Sequence, residues 1–214
     1  MSRSTNTTFT CPCGNTFTSP IYEYVNIAQD PQLQYTILAG LLNVATCPSC
    51  GRRATLGRPF IYSNAAHNLL AYVHPRADAP EEARLLILEK LRDVYTEIEP
   101  GRNTTLELDS KNAVLTLTKS PEELPPLQVV FGLDQLNELI NATLEQGERL
   151  GRLALSTQSR SEAERGQMLD IARKLASEMK CQIEVEDLPD EYTIWLYGSR
   201  RQIGAIMREL APRG

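Results

Sequence analysis

No apolar run in this chain approaches the roughly 20 residues that cross a bilayer, and that absence excludes a membrane-spanning helix. Histidine is scarce: the chain has two, His67 and His74, so a nucleophile–base pair has few bases to draw on. There is no glycine-rich phosphate loop, since Gly198-Ser199-Arg200-Arg201 carries a single glycine. Positive charge is also short, with 22 basic against 27 acidic residues and a net charge of −5. A protein that lives by neutralising phosphates carries a basic surface, so the acidic balance argues against general nucleic-acid binding while leaving room for a local patch. The polar opening from Met1 to Thr10 lacks the apolar core of a secretory signal, which makes the cytoplasm the expected compartment.

Cysteine is what the chain uses sparingly and in a pattern. Four of its five cysteines fall in two clusters, Cys11-Pro12-Cys13-Gly14 and Cys47-Pro48-Ser49-Cys50-Gly51. In a Cys-Pro-x-Cys-Gly knuckle, proline fixes one φ and glycine permits the tight backbone that aims both sulfurs inward. The second cluster fits that description, and the first is one residue shorter and needs a tighter turn. In a reducing compartment such clusters read as metal ligands rather than disulfides. The expected ion is Zn²⁺, held by Cys11, Cys13, Cys47 and Cys50; redox thiols are the alternative. Four thiolates fill a tetrahedral zinc and leave no position for water or substrate, so the expected role is structural and no catalytic residue is assigned. Cys181 stands alone in an alternating run and reads as a small buried hydrophobe.

The surroundings of the cysteines carry a resemblance. Phe9-Thr10, the first knuckle, Thr16-Phe17-Thr18-Ser19-Pro20-Ile21-Tyr22, a helix opened by Asp30-Pro31 and closed by Gly40-Leu41-Leu42-Asn43, and Thr46-Cys47-Pro48-Ser49-Cys50-Gly51 together resemble the CpXC family, a bacterial and archaeal family named for its cysteine motifs. The likeness continues through Pro59-Phe60-Ile61-Tyr62, Leu69 to Pro75 and Val129 to Leu136, about the first two thirds of the chain. The shortened first knuckle departs from the usual pattern. What the resemblance implies is a metal-binding domain without an assigned reaction.

Along the rest of the chain, the spacing predicts a helix from Asp30, as N-cap, to Asn43. Extended runs follow at 54–63 and 68–74 around a turn at Asn64-Ala65-Ala66-His67. An amphipathic helix over 80–99 places Ile87, Leu88, Leu91, Val94, Tyr95 and Ile98 on one stripe, with Glu81 and Glu82 at its positive end. A hairpin is expected from 105–107 and 114–118, a loop at 121–126, a short strand at 129–131 and a helix from Asp134 to about Glu148. In the tail, strand 153–157 precedes a helix with a Ser161–Glu164 capping box. Strand 181–186 alternates apolar and acidic, strand 192–197 follows, and a last helix is capped by Ser199. The expected fold is α+β: a zinc-ribbon-like N-terminal domain with hairpins and helices over 1–148, then a small ferredoxin-like β-α-β-β-α domain over 149–214.

Other chemistry is thin. Glu107, Asp109 and Lys111 share a spacing that nucleases use, yet Asp109-Ser110-Lys111-Asn112 is ordinary turn chemistry. Arg52, Arg53 and Arg58 follow the second knuckle, and Arg200 and Arg201 open the last helix. These five could contact an anion or nucleic acid, or the first three could simply offset the charge of a zinc–tetrathiolate centre. The expectation is a non-enzymatic zinc-stabilised interaction module, an adaptor or subunit of a bacterial assembly whose partner is another protein. The alternative is a zinc-knuckle nucleic-acid-binding regulator.

Overall fold

The computed structural model describes residues 1–98, 105–109, 114–118, 127–188 and 191–210, with only the backbone path for 92–98, 105–109 and 114–118. The fold is mixed α+β. Twelve strands and five α-helices follow the order β1 (Arg3–Thr10), β2 (Thr16–Asn26), α1 (Gln32–Leu38), β3 (Val44–Thr46), β4 (Arg53–Thr55), β5 (Phe60–Asn64), β6 (Leu69–His74), α2 (Glu81–Ile98), β7 (Thr105–Asp109), β8 (Val114–Thr118), β9 (Leu127–Phe131), α3 (Leu133–Thr143), β10 (Leu150–Thr157), α4 (Glu162–Met179), β11 (Gln182–Asp187), β12 (Tyr192–Ser199) and α5 (Arg200–Leu210). A seven-stranded sheet runs β1-β2-β5-β6-β9-β8-β7, a three-stranded one β10-β12-β11, and β3 pairs with β4 alone.

Contacts gather into two compact units that interleave along the chain. One comprises Met1–Thr5, Pro20–Asp30 and Leu56–Ala142; the other comprises Asn6–Ser19, Pro31–Thr55 and Thr143–Gly214. Both knuckles therefore cluster with the tail. The division into 1–148 and 149–214 stands as a proposal about independent folding.

In the first unit β9 is buried on both faces. Leu127, Val129 and Phe131 join Ala79 in a core that α2 covers with Ile87, Leu88 and Leu91, while Val130 is fully buried on the opposite face. Val94, Tyr95 and Ile98 of the expected stripe lie outside the described side chains. The expected strands at 105–107 and 114–118 form as β7 and β8, paired antiparallel; the Ser110-Lys111-Asn112 turn and the loop at 121–126 lie outside the described residues. The turn after β9 is made by Gly132, at φ +85°. A Cβ there would come 2.6 Å from that of Ala77, so only glycine fits.

Several expected boundaries move. Asp30 does not cap α1: its Oδ2 instead accepts the Ser2 backbone N–H at 3.0 Å, and Pro31 stands at the cap with no side-chain bond. The helix stops at Leu38, because Gly40 turns to φ +72° and Asn43 to φ 57°. The extended run 54–63 is two strands, broken at 56–59 where Gly57 and Pro59 interrupt pairing. Helix α3 ends at Thr143 rather than near Glu148.

The tail matches the expected element order. β12 is the central strand, antiparallel to both β10 and β11. One face of this sheet carries Leu153, Leu155, Ile183, Ile194 and Leu196, which pack against Ala172, Leu175 and Ala176 of α4 and Ile203 and Ile206 of α5. Ser161 Oγ caps α4 by accepting the Glu164 N–H at 3.4 Å. The return half of that box is not made, since the Ser161 N–H donates to Ser159 Oγ.

Candidate metal centre

The four cysteines reach one point from two hairpin tips. The first knuckle is the turn from β1 into β2, closed by Cys11 N–H to Asn15 O at 2.9 Å and Gly14 N–H to Cys11 O at 2.8 Å. Phe9 and Phe17, with ring centroids 5.8 Å apart, staple the strands beside it. The second knuckle is the β3–β4 turn, closed by Cys47 N–H to Arg52 O and Gly51 N–H to Cys47 O, each 2.9 Å. Gly14 and Gly51 take φ of +90° and +68°, the left-handed backbone that a knuckle needs and glycine supplies.

All four Sγ atoms lie within 4.8 Å of one another, with Cys11 and Cys47 buried and Cys13 and Cys50 exposed. Across the knuckles, Cys11 to Cys50 is 3.5 Å and Cys13 to Cys47 is 3.7 Å. Tetrahedral thiolates at about 2.3 Å from zinc sit about 3.8 Å apart, so the spacing fits an ion at the centre. Both sulfurs of the shortened first knuckle join the cluster.

The two buried sulfurs differ. Cys47 is buried, yet the N–H groups of Ser49 and Cys50, the Asn15 side-chain amide 3.7 Å away and the Cys11 thiol together pull it down to about 6. Cys11 has the N–H of Cys13 in its favour, but burial and the neighbouring thiols Cys13, Cys50 and Cys47 outweigh it and push it up to about 12. Of the two buried sulfurs, Cys47 is thus the readier thiolate. The extra residue of the second knuckle is what gives its leading sulfur two backbone donors rather than one.

The arginines separate. Arg52 is exposed. Arg53, with its side chain 42% exposed, pairs with Glu184 of β11. Arg58 is exposed and belongs to the other contact unit. At the start of α5, Arg200 and Arg201 have exposed side chains, but their N–H groups donate to Arg149 O at 2.9 Å and Gly147 O at 3.0 Å. The next N–H, of Gln202, goes to Ser199 Oγ, so the backbone donors of this helix start are already used.

Sequence reading missed what stands next to the knuckles: the second face of the three-stranded sheet. There Trp195 and Tyr197 stack at 6.4 Å, the Trp195 indole N–H donates to Glu186 at 3.1 Å and the Tyr197 hydroxyl to Glu184 at 2.9 Å. The Arg152 guanidinium lies 5.8 Å from the Trp195 ring centre. Burial, with the Glu184 carboxylate beside it, raises the Tyr197 phenol to about 12. Helix α1 covers the neighbouring end of this face: Thr36 Oγ1 is 3.4 Å from Gln182 Oε1, and the Tyr35 hydroxyl donates to Glu148 O. The alternation Trp195-Leu196-Tyr197 was the available signal, since apolar aromatics on the outer register of a strand mark a second covered or functional face. Cys181 is not one of the clustered thiols and is half-buried rather than buried, packing where a Cβ on Gly198 would come 2.7 Å from its sulfur; this partial burial lifts its thiol to about 11.

Two hairpins presenting four convergent thiols on an α+β frame define a protein with a cysteine cluster that could hold a metal ion. The chain belongs to the CpXC protein family, whose model matches residues 9–147. Comparisons with curated proteins and with solved structures give no match. Among the described residues, no helix is long and apolar enough to cross a membrane.

Proposed function

We propose that this chain is a zinc-stabilised protein-interaction module, working as an adaptor or as a subunit of a larger assembly in the cytoplasm. The observation that carries the reading is the convergence of four sulfurs within 4.8 Å of one another. Cys11, Cys13, Cys47 and Cys50 would complete the coordination of one Zn²⁺ and leave it no open position, so the ion supplies folding energy rather than a reactive water. The two hairpin-borne knuckles read as zinc-ribbon-like. The β10-β12-β11 sheet with α4 and α5 on one face reads as ferredoxin-like, a frame that hosts many binding functions.

The second reading is a nucleic-acid-binding regulator. It draws on Arg52, Arg58, Arg200 and Arg201, but Arg53 already pairs with Glu184 and the net charge is −5. Affinity purification of the tagged chain with and without nuclease separates the two. A stoichiometric protein that survives nuclease, and is lost with Cys47→Ala, supports the interaction module; material removed by nuclease, with binding that falls steeply as salt rises, supports the regulator.

A further inference from the structure

The second knuckle and the aromatic face are joined by a continuous line of contacts. Arg53 is the first residue of β4 and pairs across the hairpin with Thr46, which immediately precedes Cys47. Its guanidinium meets one oxygen of Glu184, whose side chain is only 12% exposed. The other oxygen accepts the Tyr197 hydroxyl, and Tyr197 stacks on Trp195, which is the single tryptophan of the chain. Glu184 and Trp195 are also direct cross-strand partners, as are Gln182 and Tyr197.

The hairpin that holds Arg53 in place is short. β3 and β4 have three residues each and, among the described residues, form a two-stranded sheet of their own, and an isolated hairpin of that size has little stability of its own. Its shape is set where Cys47 and Cys50 are gathered. Without that anchor Arg53 loses its fixed position, and Glu184 is left as a largely buried carboxylate without its cation, an arrangement that costs free energy and drives rearrangement.

We propose that occupancy of the four-cysteine centre controls the order of the Trp195–Tyr197 surface, with the Arg53–Glu184 ion pair as the coupling element. This rests on the reading of the cluster as a metal site. Loading the ion fixes the β3–β4 hairpin, the hairpin presents Arg53 to Glu184, and Glu184 holds the Tyr197 hydroxyl and with it the aromatic stack. Losing the ion releases the stack.

The test uses the full chain loaded with Zn²⁺ under reducing conditions, with Trp195 emission and acrylamide quenching followed as a chelator removes the metal. The expected result is a red shift and stronger quenching in proportion to zinc released, reversed on adding Zn²⁺ back. Arg53→Met keeps all four cysteines, so it should still bind one zinc, show the shifted emission already in the loaded state and respond little to chelator. Arg52→Met should behave as the parent. A Trp195 signal that does not move while zinc leaves overturns the proposal, as does an Arg53→Met protein that responds like the parent, which is what general unfolding would produce. Absence of zinc binding in the parent chain would instead sink the metal reading on which the coupling rests.

Discussion

Ser199 and Gln202 cap helix α5 reciprocally: the Gln202 N–H donates to Ser199 Oγ at 3.0 Å, and the Ser199 N–H donates to Gln202 Oε1 at 2.7 Å. The Gln202 amide reaches further and donates to Met179 O at 2.7 Å, at the end of α4. One residue therefore satisfies the start of one helix and the finish of another. Ser199→Ala should destabilise the chain by about 1 kcal/mol and Gln202→Ala by at least as much, whereas Ser161→Ala, at a box with only one half made, should cost less than either. Urea unfolding of the three variants checks the ranking.

Each of Cys11→Ser, Cys13→Ser, Cys47→Ser and Cys50→Ser should reduce bound zinc from one ion per chain to a small fraction after dialysis against a weak chelator. Structural zinc in small peptides contributes roughly 10–16 kcal/mol, so loss of one of four ligands is far larger than any surface substitution. Cys181→Ser should leave the zinc content unchanged. Elemental analysis of the purified proteins reads both results.

Chelation under reducing conditions should loosen the knuckles and leave α4 and α5 formed, because the core they share with the sheet is built from residues between Leu153 and Ile206. A fragment spanning 149–214 should accordingly unfold as a cooperative unit with a helical spectrum. A fragment that stays unstructured, or helices that vanish with the metal, would show that the tail depends on the knuckles to fold.

Within that core, Leu196→Ala should cost about 2–5 kcal/mol, as for other fully buried leucines. Ile171→Ala, 54% exposed on α4, should stay within about 0.5 kcal/mol. Thermal or urea melts of the two side by side are sufficient.

Asp30 provides a pH signature. The Ser2 hydroxyl and backbone N–H hold its carboxyl below the ordinary value, so the ionised form favours the fold. That contribution is present above the unfolded-state pKa of about 3.9 and is lost as the pH falls through the depressed folded value. Asp30→Asn should therefore melt below the parent at neutral pH, with the difference closing in acid. A gap that is constant across pH would place the effect elsewhere.

How far the sequence spoke depends on whether the deciding partner was local. The tail elements were legible almost strand by strand because alternation in Gln182–Asp187 and helical spacing in Glu162–Met179 are properties of neighbouring residues. The knuckles were legible because proline and glycine beside cysteine dictate the turn. Asp30 was misread as a cap because its partner, Ser2, is brought to it by strand pairing. The break at 56–59 hid among residues that extend well on either side, and neither the Arg53–Glu184 pair nor the gathering of both knuckles with the tail leaves any mark near the residues concerned.

The interleaving of the two contact units sets an order on synthesis. Once Cys50 has left the ribosome all four thiols are available, yet the strand bearing Glu184 and the strand bearing Trp195 are still more than a hundred codons away. At 5–20 residues per second that interval is on the order of ten seconds, long compared with hairpin closure in microseconds. The nascent knuckles can thus bring their four thiols together before the strands of Glu184 and Trp195 exist, and the tail, when it emerges, meets hairpins already formed.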